Sequence, residues 1–454
     1  MNSIIKVSNT KVILILIFII AVFVDAANGI LQKKVGVMTP IGIIYRGTIY
    51  SYLFSYLLKN RYKTIIYIFS IFVLLSLLLW VVLYDASLFK EAEFLIRYSF
   101  FFVLLNFFYI KKRSLQPKYV YKIITQYGFL ISSIIIICYI TGFGISTYGE
   151  GEYGWGEKGL FIATNDIGLT ILCSLICSCI YHNNYSSSKW TILFLPIIAV
   201  GGILIGSRVC FLFIPFTLFL YVLYKAKQTK NKLIVTISIA LMVYLLVYVG
   251  ILIYSMLDDY ALSKLTKEGF ENARSFLTDE AQKHISNFDA LSFLIGKGAN
   301  NLHSFVGARL GLGTERYVEA DYYEIIGSFG YFLGGIIICY YLKIVLKSIK
   351  CFFAKRVFES FEIMYLTLSF IVIAFFAGHA ATNMMAAPIL AVTSILLWKK
   401  SKINGKGVLL KYIFYRYWVY CRSCSNKCDG SPNISRNIST IMEKINNLWQ
   451  RCIS

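Results

Sequence analysis

Charged residues are scarce in this chain. Asp, Glu, Lys and Arg make up 15% of its 454 residues, whereas a soluble domain usually carries about 25%. Hydrophobic residues make up 58%, and the mean hydropathy is +0.67. One water-soluble core cannot hide this much apolar surface, so lipid must cover part of it. The composition therefore argues against a soluble protein and predicts one embedded in a membrane.

The alternation of apolar and polar residues that marks membrane β-barrel strands is also lacking. The apolar runs are continuous, as in residues 65–84. A backbone in lipid must satisfy its own hydrogen bonds, which only helices and closed barrels achieve. The sequence therefore predicts an all-α integral membrane protein, a polytopic bundle.

Several chemistry-bearing motifs are missing as well. The sequence holds no phosphate-binding loop of the GxxxxGK[ST] type and no HExxH motif, so nucleotide hydrolysis and metalloprotease chemistry have no support. Segment 258–321 contains none of the eleven cysteines, which argues against a disulfide framework there. No metal or soluble cofactor is indicated.

About twelve stretches approach the roughly 20 apolar residues that a membrane-spanning helix needs. They cover residues 12–31, 35–58, 64–84, 93–110, 119–140, 160–181, 190–206, 208–224, 233–257, 322–346, 362–378 and 382–398. The chain thus divides into a first block of about nine spans (1–257), a long loop (258–321), a last block of about three spans (322–398) and a basic tail (399–454).

The basic residues indicate how the chain is oriented. Most of the net charge of +22 falls in alternate loops and in the tail. Because Lys- and Arg-rich loops stay in the cytosol, both termini are predicted to be cytosolic and the long loop to lie on the outer side. Membrane orientation and contact with anionic lipid therefore account for the positive charge, with no nucleic-acid partner.

Charges within membrane spans are costly and are often functional. Arg46 lies near the middle of its predicted span, Arg97 near an outer end and Arg208 at an outer turn, while Asn165 and Asp166 follow an outer loop. All fall in the outer half of the bilayer, where planar guanidinium groups suit the phosphate oxygens of a lipid-linked pyrophosphate. The alternatives are snorkelling for Arg97 and Arg208, and an internal ion pair for Arg46, for example with Asp166.

Candidate proton acceptors lie in and after the long loop. His303, Glu319 and Asp321 could take a proton from a sugar hydroxyl, although a solvated loop face is the competing interpretation for each. His379 lies in a tight outer turn, where a packing role is an equal alternative. His284 is predicted to be an ordinary surface residue.

Five short motifs occur in a recognisable order. They open spans, lie in the long loop or precede the last span, at residues 159–165, 206–208, 294–298, 319–330 and 378–379. In order and topology the chain resembles the bacterial polysaccharide polymerase and O-antigen ligase superfamily, which includes the Wzy-type polymerases. Arg316 and Gly327 also fit a pattern of some polymerases, an arginine, ten residues and a glycine, which chance alone produces about once here, given the usual glycine frequency of ~7%.

The resemblance implies an enzyme of the bacterial inner membrane that polymerises undecaprenyl-pyrophosphate-linked repeat units of O-antigen or capsule at the periplasmic face. A sugar hydroxyl of the acceptor would displace the pyrophosphate lipid from the donor's anomeric carbon. A chain-length regulator and a flippase are implied as partners. The residues that would bind substrate are Arg46, Arg97, Arg208, Arg316 and Asn165. The candidates for the base are Glu319, Asp321, His303 and His379.

Two other functions stay open. An O-antigen ligase would move the finished chain to lipid A core and differs only in its acceptor, but the ligase-like pattern of a histidine, an amide and a later glycine pair is absent at His303. A lipid-linked sugar flippase or other transporter would more often show inverted repeats and broken helices near the midplane. The sequence indicates neither, and the long outer loop is unexpected in a transporter.

Overall fold

A computed structural model describes residues 9–36, 40–59, 63–148, 155–186, 188–228, 236, 267–309, 316–318, 320–355, 357–376 and 378–400. These residues are mostly helical. The first helices are α1 (Asn9–Ile15), α2 (Ala21–Val35), α3 (Ile41–Leu58), α4 (Lys63–Tyr84), α5 (Leu88–Ile110), α6 (Pro117–Thr141), α7 (Thr164–Asn184), α8 (Phe194–Leu204) and α9 (Arg208–Gln228). After them come α10 (Lys267–Ser286), α11 (Ala290–Ile295), α12 (Ala299–Arg309), α13 (Asp321–Lys355), α14 (Phe358–Phe376) and α15 (Ala387–Lys400).

Seven helices in the described residues are long and apolar enough to cross a membrane. They are Thr10–Lys33, Leu88–Ile110, Pro117–Thr141, Thr164–Asn184, Val209–Ala226, Asp321–Ala354 and Phe358–Phe375. The first combines α1 and α2 through a π-helical segment at Leu16–Ile20. Three shorter apolar helices are Leu74–Tyr84, Trp190–Leu204 and Ala387–Lys399. The helical membrane class is thus confirmed.

The count of twelve spans stays a prediction. Apart from residue 236, the predicted span 233–257 lies outside the described residues, and so does the basic tail after residue 400. Helix α3 occupies most of the predicted span 35–58, but it is not among the seven. Its Arg46 and interspersed tyrosines lower its hydropathy.

Helix α7 lies at the centre of the bundle, because every residue from 167 to 181 is buried. A helix that is apolar on all sides is expected to be enclosed by other helices, and α7 contacts α6, α8, α9 and α14. Small residues allow the close approach: a Cβ at Gly128 of α6 would collide with Ser174 of α7. By contrast, Val82 and Ile140 are 75% and 76% exposed, as side chains that face lipid would be.

Helix α13 is interrupted at Gly330, where φ is 73°. The Gly298 N–H donates to the Ser328 carbonyl at 3.1 Å, and a Cβ on Gly330 would lie 2.5 Å from the Gly296 nitrogen. Only glycine combines this backbone conformation with so close an approach. The sequence shows no sign of this break, because a hydropathy pattern contains no information on backbone angles.

The described part of the long loop folds into α10, α11 and α12, which pack on α13. Hydrogen bonds bind these helices to the first block of spans. The Trp80 indole donates to the Ile295 carbonyl at 3.1 Å. The buried Glu91 carboxylate accepts from the Ala299 and Asn300 N–H groups at 3.0 and 2.7 Å and so caps the start of α12. These contacts hold the loop against one end of the bundle.

The loop after α6 forms a short antiparallel hairpin of β1 (Ser146–Tyr148) and β2 (Trp155–Glu157). Ser146 pairs with Glu157, and Tyr148 pairs with Trp155. No strand was predicted there, because the glycine-rich sequence of the tip hides the alternation of the flanking residues.

Reporter fusions test the predicted orientation. Asn287 follows α10 in the long loop, and Trp398 lies near the end of α15. A phosphatase fused at Asn287 is expected to be active in the periplasm, and a fluorescent protein fused after Trp398 to be fluorescent in the cytosol. A cytosolic report at Asn287 would reverse the predicted side of every residue discussed below.

Candidate functional site

Several of the predicted site residues lie at one end of the bundle, where the long loop docks. Asp166 is in the first turn of α7, Asp321 begins α13, and His379 lies between α14 and α15. His303 lies on α12, which packs against α5 and α13. The structure therefore brings residues from distant parts of the sequence to a common region.

The centre of this region is a buried pair, with His303 Nε2 hydrogen-bonded to Glu324 Oε1 at 3.0 Å. Both side chains are almost fully buried, at 5% and 1% exposure. A carboxylate that accepts the Nε2–H proton leaves Nδ1 as the basic nitrogen of a neutral imidazole. Glu324 was not among the predicted residues, although the Asp321-x-x-Glu324 spacing places both carboxyls on one face of a helix.

Asp321 lies beside this pair and is also buried. Its Oδ2 accepts the Ala381 N–H at 2.8 Å, and the His379 backbone also interacts with this carboxyl group. Asp321 interacts electrostatically with Glu324 and His379. These contacts fix the buried carboxyl group between α13 and the turn before α15.

Tyr317 connects the two histidines of the site. Its ring centroid lies 4.4 Å from that of His303 and 6.2 Å from that of His379. Tyr317 is 48% exposed, so it forms the accessible surface above a buried imidazole. We call His303, Glu324, Asp321, His379 and Tyr317 the His303 cluster.

Arg46 forms an ion pair with Asp25, whose Oδ2 lies 2.5 Å from its Nη2. The side chains are 15% and 13% exposed. An internal ion pair was an open alternative for Arg46, but the partner is Asp25 on α2, which was not predicted. Asp166 interacts electrostatically with Arg46, Arg97 and His379, and so connects this pair to the His303 cluster.

Arg97 pairs with Glu93 one turn earlier on α5, at 2.5 Å, and is 35% exposed. Asn165 is half-buried on the first turn of α7. Arg316 is exposed, and its backbone N–H donates to the His303 carbonyl at 3.0 Å, which holds the segment before α13 against α12. Arg208 begins α9, but its side chain lies outside the described part of the structure, as does the whole of Glu319.

The surface position predicted for His284 is wrong. His284 is 3% exposed, and its ring contacts Phe288 and Phe305 at centroid distances of 5.7 and 5.1 Å. Burial, helped by the nearby Lys297 charge, lowers its pKa from 6.5 to about 4. A histidine on the apolar face of a loop helix is indistinguishable from a surface histidine until its partner helix is known.

The shifted pKa of His284 predicts a stability effect with a definite sign. The unfolded imidazole takes up a proton below pH ~6.5, whereas the folded one stays neutral down to about 4. The packing of α10 should therefore be strongest above pH 6.5 and lose up to about 3 kcal/mol as the pH falls to 4. Hydrogen exchange of α10, corrected for intrinsic rates, measures this loss. A His284→Leu variant should lack that component, and an equal pH dependence in both proteins would contradict the assignment.

An open apolar groove of about 510 Å³ lies elsewhere, at the C-terminal end of α6 and the segments that flank the hairpin. It is lined by Ile134, Ile137, Cys138, Thr141, Phe143 and Leu160. None of these residues belongs to the His303 cluster or to the arginine pairs. The groove therefore does not identify the chemical site, which we place on the clustered polar residues.

No protein-family model matches the chain, and no curated protein matches it either. The motifs shared with polysaccharide polymerases therefore remain a resemblance. Among the described residues, the polar groups that we consider as a reaction site are the His303 cluster and the adjacent Arg46 and Arg97 ion pairs. In chemical terms, a histidine hydrogen-bonded to a carboxylate can accept a proton, and arginine side chains can bind an anion.

Proposed function

We propose that the chain polymerises lipid-linked oligosaccharide repeat units at the outer face of the inner membrane, with a lipid pyrophosphate as leaving group. The observation that carries this proposal is the buried His303–Glu324 pair at 3.0 Å, in the same region as two arginines. A base oriented by a carboxylate is the arrangement needed to activate a hydroxyl. Guanidinium groups are suited to the charge of a departing pyrophosphate.

In the proposed reaction, His303 Nδ1 takes the proton of the acceptor's sugar hydroxyl, and Glu324 stabilises the imidazolium that forms. The hydroxyl oxygen then bonds to the anomeric carbon of the donor. The bond between that carbon and the pyrophosphate oxygen breaks, and its electron pair leaves with the lipid pyrophosphate. Tyr317, exposed above His303, is placed to contact the sugar.

In this proposal, Arg46 and Arg97 bind the pyrophosphate group. Arg46 and Arg97 are each paired with a carboxylate, so binding pyrophosphate requires them to exchange or share that partner. Arg97 is the more exposed of the two and is the better first contact. Arg46 lies deeper and would hold the phosphates as charge develops in the transition state.

Lysine substitutions test whether arginine side chains bind the pyrophosphate. Arg46→Lys is expected to lose polymer formation, because lysine keeps the charge but lacks the bidentate fork. The same is expected of Arg208→Lys, since the sequence predicts that Arg208 binds the same pyrophosphate. The glycan pattern on gels should show short products at normal protein levels. Full-length polymer from both variants would reduce the two arginines to structural charges.

The proposed function is tested with purified protein in liposomes that contain one lipid-linked repeat unit. A polymerase produces longer lipid-linked glycans and releases the pyrophosphate lipid. A ligase produces nothing until lipid A core is added. In cells, deletion should remove long chains and retain single-repeat product, whereas unmodified core alone would point to a ligase or a flippase.

A transporter of lipid-linked sugar is the second candidate, and the break in α13 favours it. Discontinuous helices with exposed backbone groups are a common feature of transporter binding sites. Gly330 interrupts α13 nine residues after Asp321, and the Ser328 carbonyl at this break accepts the Gly298 N–H. The same liposomes discriminate between the two, since a transporter moves the lipid between leaflets and leaves its sugar chain at one repeat.

A further inference from the structure

Three lysines converge at the end of the bundle opposite the His303 cluster. Lys343 and Lys347 lie one turn apart on α13, and Lys112 follows α5. Lys347 interacts electrostatically with both Lys343 and Lys112. All three are half-buried, so their mutual repulsion is less screened than at an open surface.

No carboxylate balances these charges within the described residues. The groups that act on Lys347 are Lys343, Cys351 and Lys112, and none of the three lysines forms an ion pair in that part of the chain. Their protein contacts are aromatic. The Nζ atoms of Lys347, Lys112 and Lys343 lie 3.8, 4.2 and 5.5 Å from the ring centroids of Trp398, Tyr109 and Tyr340.

The helix face beside the lysines is apolar and exposed. Leu342 and Leu346 precede Lys343 and Lys347 by one residue each, and they are 40% and 37% exposed. Residues four apart lie on the same side of a helix, so a stripe of leucine runs next to a stripe of lysine. A ligand that covers both stripes carries negative charge and hydrocarbon in one molecule.

We propose that Lys112, Lys343 and Lys347, with Trp398, bind the headgroup of an anionic phospholipid, whose acyl chains lie along Leu342 and Leu346. The phosphate supplies the negative charge that the described part of the protein lacks here. The ammonium groups surround it as point charges, and the Trp398 ring holds Lys347 in place. This site lies at the end that the distribution of basic loops assigns to the cytosol, where anionic lipids attract lysine clusters.

Native mass spectrometry of the full chain in detergent tests the site, with phosphatidylglycerol as the probe and phosphatidylethanolamine as the neutral-lipid control. Phosphatidylglycerol is expected to be retained in preference. Lys343→Gln and Lys347→Gln should each weaken its binding about fivefold. Lys350→Gln is the matched control, because this exposed lysine lies on the same helix three residues further along. It should change the binding by less than twofold.

Three results would overturn the proposal. Equal weakening by Lys350→Gln would mean diffuse attraction of lipid to a basic surface. If a variant with glutamine at Lys112, Lys343 and Lys347 still bound the lipid equally well, these lysines would not form the lipid site. Displacement of the lipid by inorganic phosphate alone would identify a site for a soluble anion. A Lys347→Arg variant keeps the charge and should retain lipid binding. This control would show that the weaker lipid binding of Lys347→Gln comes from the lost charge and not from misfolding. Polymer formation is not measured, so the outcome is independent of the proposed function.

Discussion

A Glu324→Gln variant is expected to lose long-chain polymer while single-repeat product is retained and the protein level stays normal. The amide keeps the size of the side chain and a hydrogen bond to His303, but it cannot stabilise an imidazolium. Loss of an oriented general base should reduce the rate of polymerisation by at least about 100-fold. The rate is measured with purified protein and one lipid-linked repeat unit in liposomes, and the chain length is measured on gels.

A matched control for this variant is Glu280→Gln on α10. Glu280 is also a buried glutamate, 4% exposed, and it pairs with the exposed Lys283. It lies outside the His303 cluster, so its amide variant should make polymer within about twofold of the unmodified protein. Normal polymer from Glu324→Gln would remove His303 as the base and shift the search to His379.

Among the proposed substitutions, Asp25→Ala is expected to reduce the free energy of unfolding the most. Asp25 and Arg46 form an ion pair with side chains only 13% and 15% exposed, so Asp25→Ala leaves a guanidinium charge without its partner inside the bundle. Breaking a buried pair in this way costs about 3–5 kcal/mol. Unfolding of the purified protein by increasing fractions of denaturing detergent measures the difference.

The pair Arg97–Glu93 is the comparison for that experiment. Its side chains are 35% and 22% exposed, and the two residues lie one turn apart on α5, so Glu93→Ala should cost less than about 1 kcal/mol. The double variant Asp25→Leu with Arg46→Met should recover most of the stability lost in Asp25→Ala, because no unpaired charge remains. Equal losses in Asp25→Ala and Glu93→Ala would show that Arg46 reaches another partner or water.

Hydropathy predicted the helices well because the membrane imposes a length and an apolar composition on each span. The predicted span 119–140 corresponds to α6 (Pro117–Thr141), and 93–110 corresponds to the later part of α5 (Leu88–Ile110). The break at Gly330 could not be found in this way. A hydropathy average contains no backbone angle, and the break depends on contact with Gly296 and Ser292, more than thirty residues away.

The site was predictable only in part. His303 and Asp321 were predicted because they flank the return of the long loop to the membrane. Asp25 carries the same signal as Arg46, a charge within an apolar run, and could have been found. Its pairing with Arg46 could not, because the two residues are 21 positions apart on different helices. Glu324 was not among the predicted residues, because its contact with His303 joins two helices that the sequence does not pair.

The contacts of α13 also determine the order in which the chain can complete its assembly during synthesis. Glu324 meets His303, which emerges from the ribosome 21 residues earlier. Asp321 must wait for Ala381, made 60 residues later. Until α14 and the turn after it are in place, the start of α13 carries a carboxyl group without its backbone partner. We therefore expect Asp321 to stay in contact with water at the membrane surface until the Ala381 N–H can pair with it.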